Sequence, residues 1–375
     1  MENQKSVKEG KMKKTIVFYI ATLTRGGAER VIVSLANFFS RQGYEVYMVT
    51  LEPEEGLYPI DEAVHQVVLE DRQGRGLLGR IRGALGRITQ VRSLIKETKA
   101  QALISFLGKT NLRAILAALG TKTKVFVSVR SAPEREYAGA FRTFLAKILF
   151  CFADGAVFQS EGAKAFFPKR VQEKSRIFFN PLSAVYMKPL YEGERRNEII
   201  TVGRMDKVKN HKLLVDAFAM VVKKAPEMHL TIYGDGECME ELQAQIKMLG
   251  IEEKVSLPGD SNCIPQLIED ARIFVLSSDF EGMPNAVAEA FASGVVVVST
   301  DCPSGGARML VKHEETGLLV PVRDAEQMAD AILRILGDAE LEERLRKNAY
   351  AFSKTLHPDK IHSMWMEYIE TICKK

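Results

Sequence analysis

Apolar runs alternate with amphipathic segments along almost the whole chain. A short apolar run bounded by turn residues, such as Val295–Val298, predicts a buried strand, and apolar residues at intervals of three and four predict a helix with one buried face. The strands of a first series are predicted at 15–23, 44–51, 102–106, 124–129, 155–158 and 175–179. A second series begins at Ile199 and ends near Val320. Strands that alternate with helices predict an α/β fold.

A break in this pattern divides the chain into two predicted domains. The stretch 180–197 contains Pro, is polar and lacks periodicity, which is typical of a linker. With 375 residues, of which 46% are hydrophobic, the chain can form two substantial cores. We therefore predict a first domain at 12–185, a second at 198–355 and a terminal helix at 356–375, with residues 1–11 as a disordered tail.

The most informative segment is 277–294, which contains two acids eight positions apart, Glu281 and Glu289. It follows a predicted strand, and Pro284 and Gly294 mark the start and the end of a helix. The loop of such a unit lies at the carboxyl edge of a parallel sheet, where α/β proteins bind ligands. Carboxylates at this edge can accept hydrogen bonds from sugar hydroxyls. Two acids at this spacing also occur by chance, and the motif alone favours neither interpretation.

The start of the same helix is a predicted anion site. The N–H groups of Gly282, Met283 and Asn285 lie where a helix offers no acceptor, and Pro284 has no N–H. Free amides at a helix N-terminus bind phosphate. The segment therefore predicts a phosphate next to hydroxyl-binding carboxylates, as in a phosphorylated sugar.

A second polar loop carries Arg204 and Lys209, between the strand that begins at Ile199 and a helix with Leu213 and Leu214 on its apolar face. Two cations on one loop suit a diphosphate, because Arg binds it in a bidentate way and each charge-assisted hydrogen bond contributes roughly 1.5–3 kcal/mol. The segment by itself fits a solvated loop with ordinary surface charges better.

Two glycine-containing turns complete the pattern. Gly26 and Gly27 lie between the first strand and a helix, where a glycine pair lets a backbone approach a ligand closely. Gly234 and Gly236 also follow a predicted strand and open a helix. The dinucleotide-binding pattern G-x-G-x-x-G fails there, because Met239 occupies its last position. An NAD-dependent oxidoreductase is therefore a poor interpretation.

Together these segments resemble family 4 of the retaining, nucleotide-sugar-dependent glycosyltransferases over most of the chain. The resemblance implies the GT-B fold, in which two Rossmann-like domains face each other across a cleft and the C-terminal helix crosses back to the first domain. In that family an E-x7-E motif occupies this loop and helix, so Glu281 would contact the donor sugar and Glu289 the ribose. Arg204 and Lys209 would bind the diphosphate and stabilise the charge of the leaving group.

The resemblance also implies the remaining donor contacts. The loop with the glycine pair would lie across the cleft from the diphosphate, and the G-x-G turn beside the nucleotide sugar. The predicted donor-binding residues are Gly26, Gly27, Gly203, Gly234, Gly236, Gly282, Met283, Pro284, Asn285 and Glu289. Transfer would proceed with retention and without a metal, and no D-x-D stands where a metal-bridged diphosphate would need one. No cofactor is expected, because the nucleotide sugar is a substrate.

One position departs from the family pattern. Many members have a His after the fourth strand of the first domain, where this chain has Arg130, followed by Ser131. Arg does not act as a base, because its pKa stays above about 12. We expect Arg130 and Ser131 on the acceptor side, binding a phosphate or hydroxyl or steadying the loop against Glu134. His211, at a helix start, is predicted to be a surface or capping residue, and the six His residues show no metal spacing.

Charge is distributed unevenly along the chain, whose net charge is +4. Residues 1–185 contain 29 Lys and Arg against 17 Asp and Glu, and the remainder is acidic. A basic first half indicates a negatively charged partner. Nucleic acid is a poor candidate, because the aromatic residues do not interleave with the basic ones as a stacking platform would.

The basic residues are densest in 72–99, where Leu78, Ile81, Leu85 and Ile88 recur at helical spacing. This pattern is typical of an amphipathic helix on an anionic membrane, with about 1 kcal/mol from each basic residue near the surface. The predicted membrane residues are Arg75, Arg80, Arg82 and Arg87. The alternative is an ordinary helix of the α/β core with a cationic outer face, and the glycines of the segment weaken any helix that the membrane does not support.

A second amphipathic segment, 137–152, has Phe141, Phe144, Leu145 and Ile148 at helical spacing and is predicted to be core.

Cysteine usage and hydropathy predict where the protein works. Five widely spaced cysteines without C-x-x-C provide no disulfide or zinc framework. No apolar run approaches the ~20 residues that span a bilayer, and no signal peptide is expected. We predict a cytoplasmic protein, peripheral on the inner face of the plasma membrane.

The sequence thus predicts a retaining glycosyltransferase that moves a hexose or N-acetylhexosamine from a nucleoside-diphosphate sugar to a glycan, on a lipid carrier, in surface polysaccharide or glycoconjugate synthesis. UDP is preferred over GDP on family frequency alone. Two alternatives stay open: a nucleotide-sugar epimerase on the same scaffold, and a non-catalytic membrane-bound assembly partner. The presence of Arg204, Lys209, Glu281 and Glu289 argues against the second. The transferred sugar, the linkage and the oligomeric state do not follow from the sequence.

Overall fold

The structure is a computed structural model in which strands and helices alternate as predicted. It describes residues 14–24, 26–53, 58–70, 76–261 and 263–374, without the side chain of Leu77. The predicted disordered tail at 1–11 and the predicted membrane residue Arg75 lie outside the described residues.

Thirteen strands are found among the described residues. They are β1 (Thr15–Tyr19), β2 (Glu45–Thr50), β3 (Val64–Val68), β4 (Ala102–Phe106), β5 (Lys124–Ser128), β6 (Gly155–Phe158), β7 (Ser175–Ile177), β8 (Arg196–Val202), β9 (His229–Tyr233), β10 (Val255–Gly259), β11 (Ala271–Leu276), β12 (Val296–Thr300) and β13 (Leu318–Val320). The first series contains one strand that the sequence did not predict, β3. Most of β3 is exposed, so it lacks the apolar run that marks a buried strand.

The helices of the described residues cover the sheets. They are α1 (Gly27–Arg41), α2 (Gly76–Glu97), α3 (Gly108–Ala118), α4 (Pro133–Glu136), α5 (Ala140–Leu149), α6 (Glu161–Ala165), α7 (Lys169–Glu173), α8 (His211–Lys224), α9 (Met239–Leu249), α10 (Ile264–Glu269), α11 (Asn285–Ala292), α12 (Gly306–Leu310), α13 (Ala325–Gly337), α14 (Ala339–Ser353) and α15 (Pro358–Cys373). Short 3₁₀ helices lie at Phe150–Phe152, Ala184–Tyr186, Glu252–Lys254 and Lys354–Leu356.

The strands form two sheets. One has seven strands in the order β3-β2-β1-β4-β5-β6-β7, and the other has six in the order β10-β9-β8-β11-β12-β13. In the first sheet, β1 is fully buried and pairs in parallel with β2 and β4. Its Phe18 packs on Phe39 of α1, with 5.8 Å between the ring centroids. A strand buried on both faces reads as an uninterrupted apolar run, which explains why β1 was recognised from the sequence.

The second sheet is the scaffold of the predicted donor site. Its central strands β8 and β11 run parallel, with Ile200 opposite Phe274. Neighbouring residues of β8 face opposite sides: Ile199 belongs to the core cluster that contains Phe218 of α8, and Ile200 to the one that contains Phe291 of α11. Full burial of each Phe contributes about 1.5–3 kcal/mol. The sheet therefore holds α8 and α11 against its two faces.

Packing groups the chain into two compact units. The first contains the residues up to Ser128, Gly139–Ala156 and Met366 onward, and the second contains Val129–Ala138 and Val157–Trp365. Such grouping does not test where each fold begins and ends, so the predicted domain bounds stay a prediction.

The last part of α15 packs within the first unit. Lys14 Nζ lies 2.8 Å from Glu370 Oε1, and Tyr44 Oη donates to the same oxygen. Tyr368 Oη accepts a hydrogen bond from the N–H of Ala156 at 3.0 Å. The predicted crossing of the terminal helix concerns both domains together and stays a prediction.

The stretch predicted as a linker, 180–197, packs within the second unit. Asn180, Leu182 and Tyr186 are buried, and the N–H of Leu182 donates to the carbonyl of Leu356 at 3.0 Å. The first residues of this stretch are therefore packed, and its role as a linker between the two domains stays a prediction. The apolar side chains that it buries are irregularly spaced and give no periodic signal in the sequence.

Two helices of the first unit expose apolar side chains. In α2, Val91 and Ile95 are buried, whereas Leu78 is 83% exposed. In α5, Phe141 and Phe144 are 75% and 63% exposed, so the prediction that 137–152 is core is wrong for this face. No helix in the described ranges is long and apolar enough to cross a membrane.

Candidate functional site

Two of the predicted functional loops leave the same edge of the second sheet. The loop with Arg204 and Lys209 follows β8, and the loop with Glu281 follows β11, its neighbour. Strand order reverses between β8 and β11, since β9 continues on one side and β12 on the other. Ligands of α/β proteins bind at this kind of switch point.

The two loops meet in an ion pair. Lys209 Nζ lies 2.7 Å from Glu281 Oε1, and the two side chains are only 23% and 11% exposed. Ser278 Oγ donates to the same carboxylate oxygen at 2.6 Å. The cation predicted for the diphosphate and the acid predicted for the sugar therefore lie side by side.

Backbone contacts hold Lys209 in place. Asp206 Oδ1 accepts hydrogen bonds from the N–H groups of Val208 and Lys209, both at 3.0 Å. Ser277 Oγ donates to the carbonyl of Lys209 at 2.8 Å, and the N–H of Asp279 donates to the carbonyl of Val208 at 2.8 Å. The two loops are thus connected before any ligand arrives, which is the arrangement that electrostatic stabilisation of a leaving group requires.

Arg204 differs from Lys209 in its exposure. Its side chain is 79% exposed, and Nη2 lies 3.1 Å from Asp206 Oδ2. An ion pair this exposed contributes about 0–1 kcal/mol, so a ligand can replace it at little cost. The guanidinium is available to an incoming phosphate.

The G-x-G turn packs on the loop that follows β8. A Cβ on Gly234, whose φ is +130°, would overlap the carbonyl of Gly203, and one on Gly236 would overlap that of Met205. The N–H of Met205 donates to the carbonyl of Asp235 at 2.8 Å. Both glycines are therefore required for loop packing, and their predicted proximity to a nucleotide stays a prediction.

The start of α11 differs in part from the predicted anion site. Pro284 caps the helix and Asn285 is its first residue, as predicted. The N–H of Met283, however, donates to Gln159 Oε1 at 3.2 Å. The prediction of a free N–H at Met283 is therefore wrong, because a residue distant in sequence provides an acceptor.

Glu289 lies one turn into α11. It is 9% exposed, and its spacing of four from Asn285 places both side chains on one face of the helix. Its predicted contact with a ribose stays a prediction.

Arg130 is buried with the second unit, at 8% exposure. Burial lowers its pKa to about 9, against the opposing effect of Glu136, so the guanidinium still carries its charge at neutral pH. The carboxylate that acts on Arg130 is thus Glu136, where the sequence suggested Glu134. Burial raises the pKa of Glu136 to about 7, and Ser131 Oγ donates to its Oε2 at 3.1 Å.

His211 is not a surface residue. It is 4% exposed, and burial, followed by the charge of Lys209, lowers its pKa to about 4. The imidazole is therefore neutral at physiological pH, and the prediction of a surface position is wrong.

The glycine pair belongs to the first unit. Gly26 is the N-cap of α1 and Gly27 its first residue, as predicted, and Tyr58 Oη donates to the carbonyl of Gly26 at 3.2 Å. Their predicted role opposite the diphosphate stays a prediction. No group of His, Cys, Asp and Glu in the part of the chain that the structure describes could hold a metal ion.

Sequence reasoning missed the polar residues that support the donor loops. Ser278, Gln159, Asn180 and Ser304 all contact the loops that carry Glu281 and Met283 or the residue that starts α11. Each is a single polar residue in a loop or at the end of a strand, with no pattern of its own. Only their contacts across the chain reveal them.

Two family models match adjacent parts of the chain. Residues 25–182 match the model described as Glycosyltransferase Family 4, and residues 185–352 match Glycosyl transferases group 1. Together they account for most of the chain and confirm the family resemblance.

Relatives match over nearly the full length. A Campylobacter jejuni protein, named GalNAc-alpha-(1->4)-GalNAc-alpha-(1->3)-diNAcBac-PP-undecaprenol alpha-1,4-N-acetyl-D-galactosaminyltransferase, is 29% identical over 361 residues, which cover 95% of this chain and 98% of that protein. The amylovoran biosynthesis glycosyltransferase AmsD of Erwinia amylovora is 22% identical, and the match covers 96% of this chain and 100% of that protein.

Solved structures share the fold. Anabaena HepE in complex with UDP has a TM-score of 0.80 at 19% identity, covering 96% of this chain and 100% of that chain. The lipopolysaccharide outer core galactosyltransferase WaaB in its apo form has a TM-score of 0.78 at 20% identity, covering 96% and 99%. The prediction of two Rossmann-like α/β domains is confirmed.

Proposed function

The chain belongs to family 4 of the glycosyltransferases and has the GT-B fold, and from this premise we propose that it transfers a hexose or N-acetylhexosamine from a nucleoside-diphosphate sugar with retention. The observation that carries the proposal is the Lys209–Glu281 pair next to the exposed Arg204 at the switch point of the second sheet. Two cations that can bind a diphosphate and a carboxylate that can bind sugar hydroxyls then lie on adjoining loops.

The proposed mechanism needs no protein nucleophile. Arg204 and Lys209 stabilise the departing diphosphate, Glu281 orients the sugar and Glu289 binds the ribose. The ammonium group of Lys209 has three donors, so it can bind Glu281 and a phosphate oxygen together. The leaving phosphate takes the proton of the acceptor hydroxyl. Charge stabilisation by donors that are held in advance is the usual strategy for such leaving groups.

The proposed donor nucleotide is UDP and the proposed acceptor is a glycan on a lipid carrier. A relative at 29% identity is named for an undecaprenol-linked acceptor, and a structure of the same fold contains UDP. The basic first half of the chain suits a diphosphate-linked acceptor. The relatives described above are named as glycosyltransferases, which gives no support to an epimerase or to a non-catalytic assembly partner.

The donor proposal predicts retention and a preference for one nucleotide. We expect transfer from a UDP-sugar to an undecaprenyl-diphosphate glycan, with the product keeping the anomeric configuration of the donor in its NMR spectrum. Glu289→Ala should raise the Kd of UDP about 10- to 100-fold, since it removes hydrogen bonds to a charged group worth roughly 1.5–3 kcal/mol. The control is Glu367→Ala, an exposed acid of α15.

Three results would contradict this proposal. Inversion of the anomeric centre would exclude the retaining mechanism, and turnover of the sugar nucleotide without an acceptor would favour the epimerase. Equal Kd values for UDP in wild type and Glu289→Ala would remove Glu289 from the site.

The proposal includes peripheral contact with an anionic membrane on its cytoplasmic side. Leu78, Ile81 and Leu85 of α2 are exposed, and so are Arg80 and Arg82 on the same helix. Exposed apolar residues among basic ones suit the headgroup region of an anionic leaflet. Half-buried Arg87 contributes less to this surface.

The exposed face of α5 belongs to the same proposal. Phe141, Phe144 and Ile148 are exposed, Arg142 lies among them, and the segment 137–153 contains no acid. A contact through these aromatic side chains explains why they are not core, although their helical spacing predicted it.

Vesicle sedimentation tests the membrane contact. We expect binding to phosphatidylglycerol vesicles and a loss of about tenfold or more in Phe141→Ser/Phe144→Ser, because each buried Phe contributes about 1.5–3 kcal/mol. Arg80→Gln/Arg82→Gln should weaken binding and reduce its salt dependence, at about 1 kcal/mol for each charge. The control is Met248→Ser, which alters an exposed apolar residue of α9. Equal binding of wild type and all variants would contradict the proposed surface.

A further inference from the structure

Asn180 joins three parts of the second unit that are far apart in sequence. It is 4% exposed. Its Oδ1 accepts hydrogen bonds from Arg130 Nη2 and, at 2.7 Å, from Gln159 Nε2. Its Nδ2 donates to the Oδ1 of Asn285, the first residue of α11, at 2.6 Å. One amide thus uses both its acceptor and its donor at the start of the proposed donor-binding helix.

The same turn is held at Met283. The N–H of Met283 donates to Gln159 Oε1 at 3.2 Å, and the N–H of Asn180 contacts Met283 Sδ at 2.9 Å. Gln159 is 3% exposed. Water therefore does not compete for these hydrogen bonds, and the loss of one partner leaves a buried polar group unsatisfied.

Arg130 adds a charge and a backbone contact. Its guanidinium is buried, and a buried cation is tolerated only when hydrogen bonds and a nearby carboxylate compensate for lost water. Asn180 and Glu136 provide that compensation. A Cβ on Gly282 would lie 2.5 Å from the carbonyl oxygen of Arg130, so this backbone contacts the turn directly.

A second link starts at Ser160, the residue that follows Gln159. Ser160 Oγ donates to the carbonyl of Ser304 at 2.7 Å, and Ser304 Oγ donates to the carbonyl of Glu281. The backbone of Glu281 is therefore linked through Ser304 to Ser160, the residue next to the Gln159 that supports Met283.

We infer that Arg130, Gln159 and Asn180 form a buried brace that positions the turn from Gly282 to Asn285 for the donor. The brace residues do not touch the donor; they hold the turn that connects Glu281 to α11 and Glu289. A turn that is ordered in advance spares the ligand the cost of ordering it. This inference rests on the proposed function and assigns Arg130 to the donor loop, where the sequence placed it on the acceptor side.

Steady-state kinetics of Asn180→Leu tests the brace. Leu has the same number and branching of side-chain heavy atoms but neither accepts from Arg130 and Gln159 nor donates to Asn285. We expect the KM for the sugar nucleotide and the Kd of UDP to rise about tenfold or more, with the KM for the acceptor changed less than about twofold. Asn180→Asp keeps the acceptor oxygen and should recover part of the loss. The matched control is Asn348→Leu, whose side chain makes an exposed hydrogen bond to the carbonyl of Glu315.

A double-mutant cycle separates a brace from independent contacts. Arg130→Gln, Asn180→Leu and the double variant should raise the Kd of UDP by similar factors, because each breaks the same network. Gln159→Leu provides a second route if Asn180→Leu fails to fold.

The outcomes are distinguishable from failure of the proposed function. If wild type binds no nucleoside diphosphate, the proposed function fails. If wild type binds UDP and the folded variants bind it equally well, the brace is wrong. An equal rise in both KM values, or a lower melting temperature with an unchanged Kd, would reduce the cluster to ordinary core packing.

Discussion

Lys209→Met is expected to lower kcat about 10²–10³-fold in a protein that still folds. Two hydrogen bonds fix the backbone of Lys209, and Glu281 holds its ammonium group, so its charge is in place before the leaving group develops its own. Loss of one such preorganised donor costs about this factor. Methionine retains most of the apolar stem of the side chain and removes the ammonium group with its charge and its donors.

The matched control is Lys212→Met, which alters an exposed lysine at the second residue of α8. Transfer rates should be measured at saturating sugar nucleotide, together with the Kd of UDP. If kcat stays at the wild-type value in Lys209→Met, then Lys209 serves only to neutralise Glu281 and the proposed mechanism loses its main cation.

Gly306→Ala is expected to abolish measurable UDP binding, with an increase in Kd of about 100-fold or more. Gly306 is buried at the start of α12, and a Cβ there would overlap the carbonyl of Gly282. Two backbones must then separate, which costs about 1–3 kcal/mol in overpacking and displaces the turn that leads to α11. The melting temperature should fall in the same variant.

Gly337→Ala is the control for this substitution. A Cβ at Gly337, at the end of α13, meets nothing within 4 Å, and Ala is a better helix former than Gly. Its stability should equal or exceed that of wild type, and its Kd for UDP should be unchanged. Wild-type affinity in Gly306→Ala would show that the turn at Gly282 does not control donor binding.

Much of the fold could be predicted because its signals are local. The strands β1, β4, β11 and β12 are short apolar runs, and the helices that follow them have apolar residues at helical spacing. The strand β3 was not predicted because a mostly exposed strand has no apolar run. The aromatic face of α5 was misassigned because periodicity identifies an apolar face without identifying what covers it.

The candidate site could be predicted only in part. The motifs around Glu281 and Lys209 were found because each lies between a strand and a helix, but the contact between the two side chains joins residues 72 positions apart. The partner of the Met283 N–H is 124 positions away, and neither Gln159 nor Asn180 belongs to a pattern. A single polar residue has the same appearance in a sequence whether it is solvated or buried.

The sequence by itself determined the α/β layering, the two series of strands and the loops that carry the charged residues, because these follow from the spacing of apolar and polar positions. Only the tertiary structure decided that β8 lies beside β11, that Lys209 pairs with Glu281, and that Arg130 is buried against Asn180. Strand pairing and burial depend on the free energy of the whole packed chain, and no local window of residues contains that information.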